Sequence, residues 1–150
     1  LLEQWGVQRP PVDVEAIAHA CATLVVKRPF PDALSGLVFA VPDGAVVGIN
    51  ADHHPNRQRF SLAHELGHVV MRHHQDSGHQ RVHLDVTDGT PPGYDWRQER
   101  AANDFAADLL MPRRLIARAY EQVISPADLA ELFDVSEIAM GYRLVNLGLR

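Results

Sequence analysis

The sequence contains a single cysteine, Cys21, so no disulfide bond can form within its 150 residues. A lone thiol fits a reducing compartment, where free cysteine is usually a small buried core residue, and we interpret Cys21 in that way. There is no apolar run near the ~18 residues that predict a membrane span, and no charged segment followed by an apolar one at the start. We therefore expect a cytoplasmic protein that does not enter a membrane.

Positive charge is scarce as well: the sequence has 14 lysine and arginine residues but 19 aspartate and glutamate residues, which gives a formal net charge of −5. Proteins that bind nucleic acid directly usually carry a basic face, so this balance disfavours that function. Repeats and low-complexity segments are absent. The 46% hydrophobic and 22% charged content is typical of a globular protein, and the length predicts one domain over residues 1–150.

The first third of the sequence predicts a helix followed by a small sheet. Asp13 can cap a helix whose apolar residues recur at helical spacing, and Thr23 to Lys27 is a short β-branched stretch typical of a strand. Two further apolar stretches, Leu37 to Val41 and Ala45 to Ile49, flank Pro42-Asp43-Gly44. Proline and glycine favour a tight turn, so these stretches predict a β-hairpin.

The rest of the chain is mostly helical in pattern. A segment rich in glycine, proline, aspartate and histidine, residues 75–96, predicts a loop with a short strand where Val82, Leu84 and Val86 alternate. An early helix, then strands, then mainly helices is the order of an α+β domain. The predicted helices cover about residues 56–74, 97–111 and 115–123, followed by a C-terminal helical pair at about 125–148.

The most informative motif is His64-Glu65-Leu66-Gly67-His68, an H-E-x-x-H pattern within a predicted helix. Residues four apart lie on the same helix face, so His64 and His68 can bind one metal ion. Glu65 is turned away from direct ligation but can reach a water molecule at the ion and act as general base. The pattern predicts a zinc-dependent hydrolase.

The residues around this motif favour a buried site over a solvent-facing helix. Ala63, Leu66, Gly67 and Val69 are small or apolar, and buried histidines and glutamate need polar partners or a metal. Glycine costs about 1 kcal/mol relative to alanine inside a helix. We therefore expect another element to approach closely at Gly67.

A catalytic zinc ion usually has three protein ligands, so one more ligand must come from elsewhere. Glu99 is the best candidate, because it opens the next long helix, although a glutamate there also favours the helix dipole. Asn103 lies one turn further on and could orient a ligand imidazole from outside the coordination sphere. Asp104 and Asp108 are competing carboxylates. Six further histidines could also contribute a ligand or a donor: His53, His54, His73, His74, His79 and His83.

Two longer blocks around these residues resemble the ImmA/IrrE family of metallo-endopeptidases. Residues 57–68 follow the family pattern R-x-R-F-[ST]-x-A-H-E-[LI]-G-H, and residues 99–112 follow E-x-x-A-N-x-F-A-A-x-L-L-M-P. The resemblance covers nearly the whole chain and includes the C-terminal helical pair. Many members carry a second glutamate where this chain has Ala101, so we transfer no role to that position.

The resemblance implies a compact, gluzincin-like zincin fold with a zinc ion held by His64, His68 and Glu99, and with Glu65 as base. It also implies peptide-bond hydrolysis in a helix-turn-helix repressor of the Xre type, in a phage, mobile-element or stress-response setting. The alternative is a regulatory module that uses the metal for stability and binds a repressor or toxin without cleaving it.

Two further expectations concern surfaces. In zincins an edge strand beside the active-site helix commonly pairs with extended substrate, and Val46 to Asn50 is either that strand or an ordinary core strand. The C-terminal pair has helix-turn-helix dimensions. It carries Asp128, Glu131, Asp134 and Glu137 but few basic residues, so packing or protein docking is favoured over DNA binding.

Overall fold

A computed structural model describes residues 4–73, 83–86, 94–122 and 125–149, the second of these ranges by its backbone alone. The described part has an α+β architecture, so the predicted fold class is confirmed. In chain order its elements are α1 (Val14–Ala20), β1 (Thr23–Arg28), β2 (Leu34–Val41), β3 (Gly44–Asn50), α2 (Pro55–Val70), β4 (His83–Val86), α3 (Trp96–Leu110), α4 (Arg113–Tyr120), α5 (Pro126–Phe133) and α6 (Glu137–Asn146).

The strands form one sheet in the order β1-β3-β2-β4. The predicted hairpin is confirmed as β2 and β3, which pair antiparallel, with Val38 opposite Val47. On its other side β3 pairs in parallel with β1, so β3 lies inside the sheet. The suggestion that Val46 to Asn50 is an edge strand is therefore wrong, since hydrogen bonds to β1 and β2 already occupy both sides of this segment.

Helix α2 packs across one face of the sheet, against β2 and β3. Val38, Val47 and Ile49 are fully buried, and their alternation along the strands places them together with Gly36 on that face. Helix α1 packs on β1, where the partly buried Cys21 contacts the core and burial raises the pKa of its thiol. Cys21 therefore packs against the core but is only partly buried, rather than enclosed as expected.

The helix ends follow the capping chemistry of the sequence. The Asp13 side chain accepts a hydrogen bond from the amide of Ala16, and Ser125 and Ser136 cap α5 and α6 in the same way. Helix α2 ends at Val70 rather than near His74, because Arg72 takes a left-handed conformation with φ of 60° and stops the helix.

Helices α2 and α3 pack closely at Gly67. A Cβ atom at this position would lie 3.2 Å from the Cα of Ala102 and 3.2 Å from the ring of Phe105. The absence of a side chain therefore lets the two helices approach, which confirms the close contact expected at Gly67. This contact sets the distance between the H-E-x-x-H helix and the helix that carries Glu99.

The polar residues at the start of α2 fix its position. Arg57 donates a hydrogen bond to Ser35 Oγ, and Gln58 donates one to the carbonyl of His53. Arg59 donates to the carbonyl of Val12 and forms an ion pair with Asp134, which lies between α5 and α6. One helix is thereby tied to β2, to the N-terminal segment and to the C-terminal pair.

The C-terminal helical pair is present as α5 and α6. Leu129, Phe133, Met140 and Leu144 are fully buried where these helices join the core, and Asp134 turns the chain between them with φ of 52°. No helix in the described ranges is both long enough and apolar enough to cross a bilayer.

Candidate metal centre

The buried polar side chains of helix α2 include those of the H-E-x-x-H motif. His64, Glu65 and His68 are 4%, 0% and 1% exposed, respectively. Helix α3 brings Glu99 alongside: its carboxylate oxygens lie 3.3 Å from His64 Nε2 and 3.5 Å from His68 Nε2. The two Nε2 atoms are 3.1 Å apart. The structure thus brings together the three side chains that the sequence selected as ligands.

The spacing of these donor atoms fits a single metal ion. Four ligands about 2.0–2.1 Å from a tetrahedral ion are about 3.3–3.4 Å from one another. The distances between the two imidazole nitrogens and the Glu99 oxygens lie between 3.1 and 3.5 Å. Within the described residues, His64, His68 and Glu99 form the group of side chains that could hold a metal. The two imidazole nitrogens and the Glu99 carboxylate, which contacts each of them through a different oxygen, are therefore close enough to share one ion.

A side chain outside this cluster orients His64. Asn103, one turn after Glu99 on α3, places its Oδ1 2.9 Å from His64 Nδ1. An amide oxygen can only accept a hydrogen bond, so Nδ1 of His64 carries the proton and Nε2 keeps its lone pair towards Glu99. This is the arrangement expected for Asn103 from its position in the sequence.

Burial lowers the pKa of His68 below the ordinary value for histidine, and the neighbouring Glu99 carboxylate offsets part of that effect. A lowered pKa keeps the imidazole neutral over a wider pH range. Metal binding requires the neutral form, so the buried environment of His68 favours ligation.

Four other candidates from the sequence each have a different contact or environment. His53 lies just before the N-terminus of α2 and contacts the backbone carbonyl of Asp32, and His54 is the N-cap of that helix. Asp108 pairs with Arg143, and Asp104 is exposed. His74 and His79 lie outside the described residues, as does the side chain of His83.

Gly36 of β2 makes room for Glu65, a contact that sequence reasoning missed. A Cβ atom at position 36 would lie 3.1 Å from Glu65 Oε1 and 3.2 Å from its Cγ. The carboxylate therefore sits against the bare backbone of β2. A glycine within a predicted strand gives no local signal of such a partner, because the pairing depends on how α2 crosses the sheet.

We expect Gly36→Ala to displace the Glu65 carboxylate by a few tenths of an ångström. Because misplacing a reacting group by about 1 Å can cost about 100-fold in rate, we expect roughly a 10-fold loss of hydrolysis with metal content unchanged. Metal analysis and a cleavage assay measure the two effects. Gly48→Ala in β3 is a matched control, since its added Cβ would lie 3.1 Å from Leu37 Cγ, on the opposite face of the sheet from Glu65. Equal activity of Gly36→Ala and wild type would show that this contact does not position Glu65.

Comparisons with known proteins agree with this geometry. Residues 19–145 match the family model for the IrrE N-terminal-like domain, Peptidase_M78. The chain is also 34% identical over 110 residues to the radiation response metalloprotease IrrE of Deinococcus radiodurans. That alignment covers 71% of this chain and 31% of the relative, so the chain spans about a third of that protein's length.

Proposed function

The chain belongs to the family of the IrrE N-terminal-like domain, and from that membership we propose that it is a zinc endopeptidase that cleaves a partner protein. The observation that carries the proposal is the convergence of His64, His68 and Glu99 beside the fully buried Glu65. A zinc site that serves only stability is usually closed by four protein ligands, and it needs no buried carboxylate beside them.

Zinc is favoured by the kind of donors that the chain offers. Two imidazole nitrogens and one carboxylate oxygen are the ligands of many catalytic zinc sites, whereas calcium and magnesium prefer oxygen ligands alone. Three protein ligands also leave one position of a tetrahedral ion open to water or substrate.

The proposed reaction is hydrolysis of a peptide bond. The bound ion supplies a Lewis acid that lowers the pKa of water and polarises the substrate carbonyl. Glu65 accepts the proton of the attacking water and then donates it to the leaving amine, so that its carboxylate is regenerated. His64 and His68 would hold the ion through Nε2, and Asn103 would keep His64 in the tautomer that leaves Nε2 available.

The active-site helix lies beside β2, and β2 pairs on its outer side with β4, where Asp85 is opposite Gly36. Strand β4 is the last strand on this side in the described sheet. We propose that an extended substrate segment pairs with the outer edge of β4, because a strand edge offers hydrogen bonds to any backbone. Val46 to Asn50 cannot take this role, because β3 is paired on both sides.

We propose a helix-turn-helix repressor of the Xre type as the substrate and a cytoplasmic, regulatory setting, on the basis of the family resemblance. The name of the Deinococcus relative places that protein in a radiation response. Direct DNA binding by this chain is disfavoured by the outer face of α6, where Ile138, Tyr142 and Val145 are largely exposed. Arg143, the basic residue of α6, is engaged with Asp108 and the carbonyl of Met111.

The proposal is tested by incubating the zinc-loaded chain with a purified Xre-type repressor and identifying the products by mass spectrometry. We expect one or a few defined cuts that disappear when a chelator removes the metal and return when zinc is added back. Stable binding of the repressor without any cut would instead favour the non-catalytic regulatory module.

A further inference from the structure

His73 contacts the ligand His68 on the side away from the metal cluster. The Nδ1 atoms of the two rings lie 3.0 Å apart, and the ring planes meet at 67°. His68 Nε2, at the other side of its ring, faces Glu99 and His64. His73 therefore does not compete with Glu99 as the third ligand in this arrangement, although the sequence left that alternative open.

The backbone holds His73 in this place. Helix α2 ends at Val70, Arg72 takes φ of 60°, and the amide of His73 then donates a hydrogen bond to the carbonyl of His68 at 3.0 Å. A residue other than glycine rarely adopts this left-handed conformation. The reversal at Arg72 returns the chain to the last turn of α2 and brings the His73 ring beside His68.

We propose that His73 is a positioning residue that fixes the tautomer and ring orientation of His68. This inference rests on the proposed function of the cluster as a zinc site. A histidine that binds metal through Nε2 carries its proton on Nδ1, and that proton needs an acceptor. Nδ1 of His73 accepts it, and the proton of the neutral His73 ring is then on Nε2.

With this contact, each of the two ligand histidines has a hydrogen-bond partner at Nδ1, the ring nitrogen that points away from the cluster. Asn103 accepts the Nδ1 proton of His64 from α3, and His73 accepts that of His68 from the turn after α2. Both imidazoles thus present Nε2 to Glu99 with their rotation about the side chain restricted. Losing such an outer partner typically weakens metal affinity by about 10- to 100-fold.

The test compares zinc affinity, measured by competition with a chromophoric chelator, for wild type, His73→Leu and His73→Asn. Leucine removes the acceptor, and we expect about 10- to 100-fold weaker zinc binding. Asparagine places an oxygen near the position of Nδ1, so affinity is expected to stay close to that of wild type. His19→Leu, which removes an exposed histidine of α1, is expected to have no effect.

Long-range proton–nitrogen NMR spectra of the zinc-loaded wild type provide a second measurement that needs no variant. We expect His68 to carry its proton on Nδ1 and to bind zinc through Nε2. Zinc on Nδ1 of His68, or equal zinc affinity of His73→Leu and wild type, would overturn the role of His73. A wild-type chain without zinc affinity would overturn the metal site itself, and with it this inference.

Discussion

Replacement of Glu65 by glutamine is expected to remove peptide hydrolysis while zinc stays bound. Glutamine has nearly the same size as glutamate but cannot accept the proton of the attacking water. General acid–base catalysis contributes about 100- to 10,000-fold to rate, so we expect a loss of at least this order. Because Glu65 is not among the three clustered donors, the zinc content should remain that of wild type.

The experiment measures zinc content by atomic emission and cleavage of the repressor over an extended time course. Glu15→Gln is a matched control: it makes the same substitution at an exposed glutamate of α1, which pairs with Lys27. This control should retain full activity. A Glu65→Gln protein that still cuts the repressor at the wild-type rate would show that another group is the base.

Loss of zinc from Glu65→Gln would indicate that Glu65 has a role in packing or in metal binding in addition to its role as base. Glu65 is fully buried, and its carboxylate packs against the backbone of β2 at Gly36. If this contact held α2 in place, the substitution would disturb His64 and His68 as well. Measuring thermal unfolding of the metal-free variant separates the two cases, because only a packing defect lowers the unfolding temperature without metal.

The elements and the two histidines of the candidate metal cluster were largely predictable because both depend on local spacing, whereas the choice of Glu99 over the other candidates depended on the family resemblance. Helical periodicity and capping residues placed α1, α2, α3, α5 and α6, and the distance of four residues placed His64 and His68 on one face. The close packing at Gly67 was also predictable, since a glycine inside a helix is costly unless a neighbour needs the space.

The order of the strands could not be read from local pattern. β1 pairs with β3 and not with β2, the next strand in the sequence. The chain between β1 and β2 therefore has to cross the position of β3 in the sheet. Asn50 stabilises this segment by bonding to the backbone of Phe30 and Leu34. These are long-range contacts, and no spacing within one strand indicates them.

Of the two side chains that contact the site histidines from outside the cluster, one could be predicted from local spacing and the other could not. Asn103 was predictable, because it lies four residues after Glu99 on the same helix. The contact of His73 with His68 depends on where α2 ends and on the left-handed conformation of Arg72, a residue that rarely adopts it. Helical periodicity alone continued α2 through His74 and so placed His73 incorrectly.

Glu99→Gln is expected to weaken zinc binding by more than the loss of an outer partner does, that is by more than about 100-fold. Glu99 contacts both imidazoles and supplies the negative charge of the three-ligand set. A neutral amide is a much poorer zinc ligand than a carboxylate, so the charge of the ion would be left without this compensation. Hydrolysis should fall in parallel with zinc occupancy.

Asp104→Asn is the matched control, because Asp104 is an exposed acidic residue of the same helix. A ligand present at 100 times its dissociation constant stabilises the folded state by about 2.7 kcal/mol. At that zinc concentration we expect Asp104→Asn to keep the zinc-dependent rise in unfolding temperature and Glu99→Gln to lose most of it. If instead Glu99→Gln kept the full rise and Asp104→Asn lost it, the third ligand would be Asp104, and the convergence of Glu99 with His64 and His68 would have a structural role only.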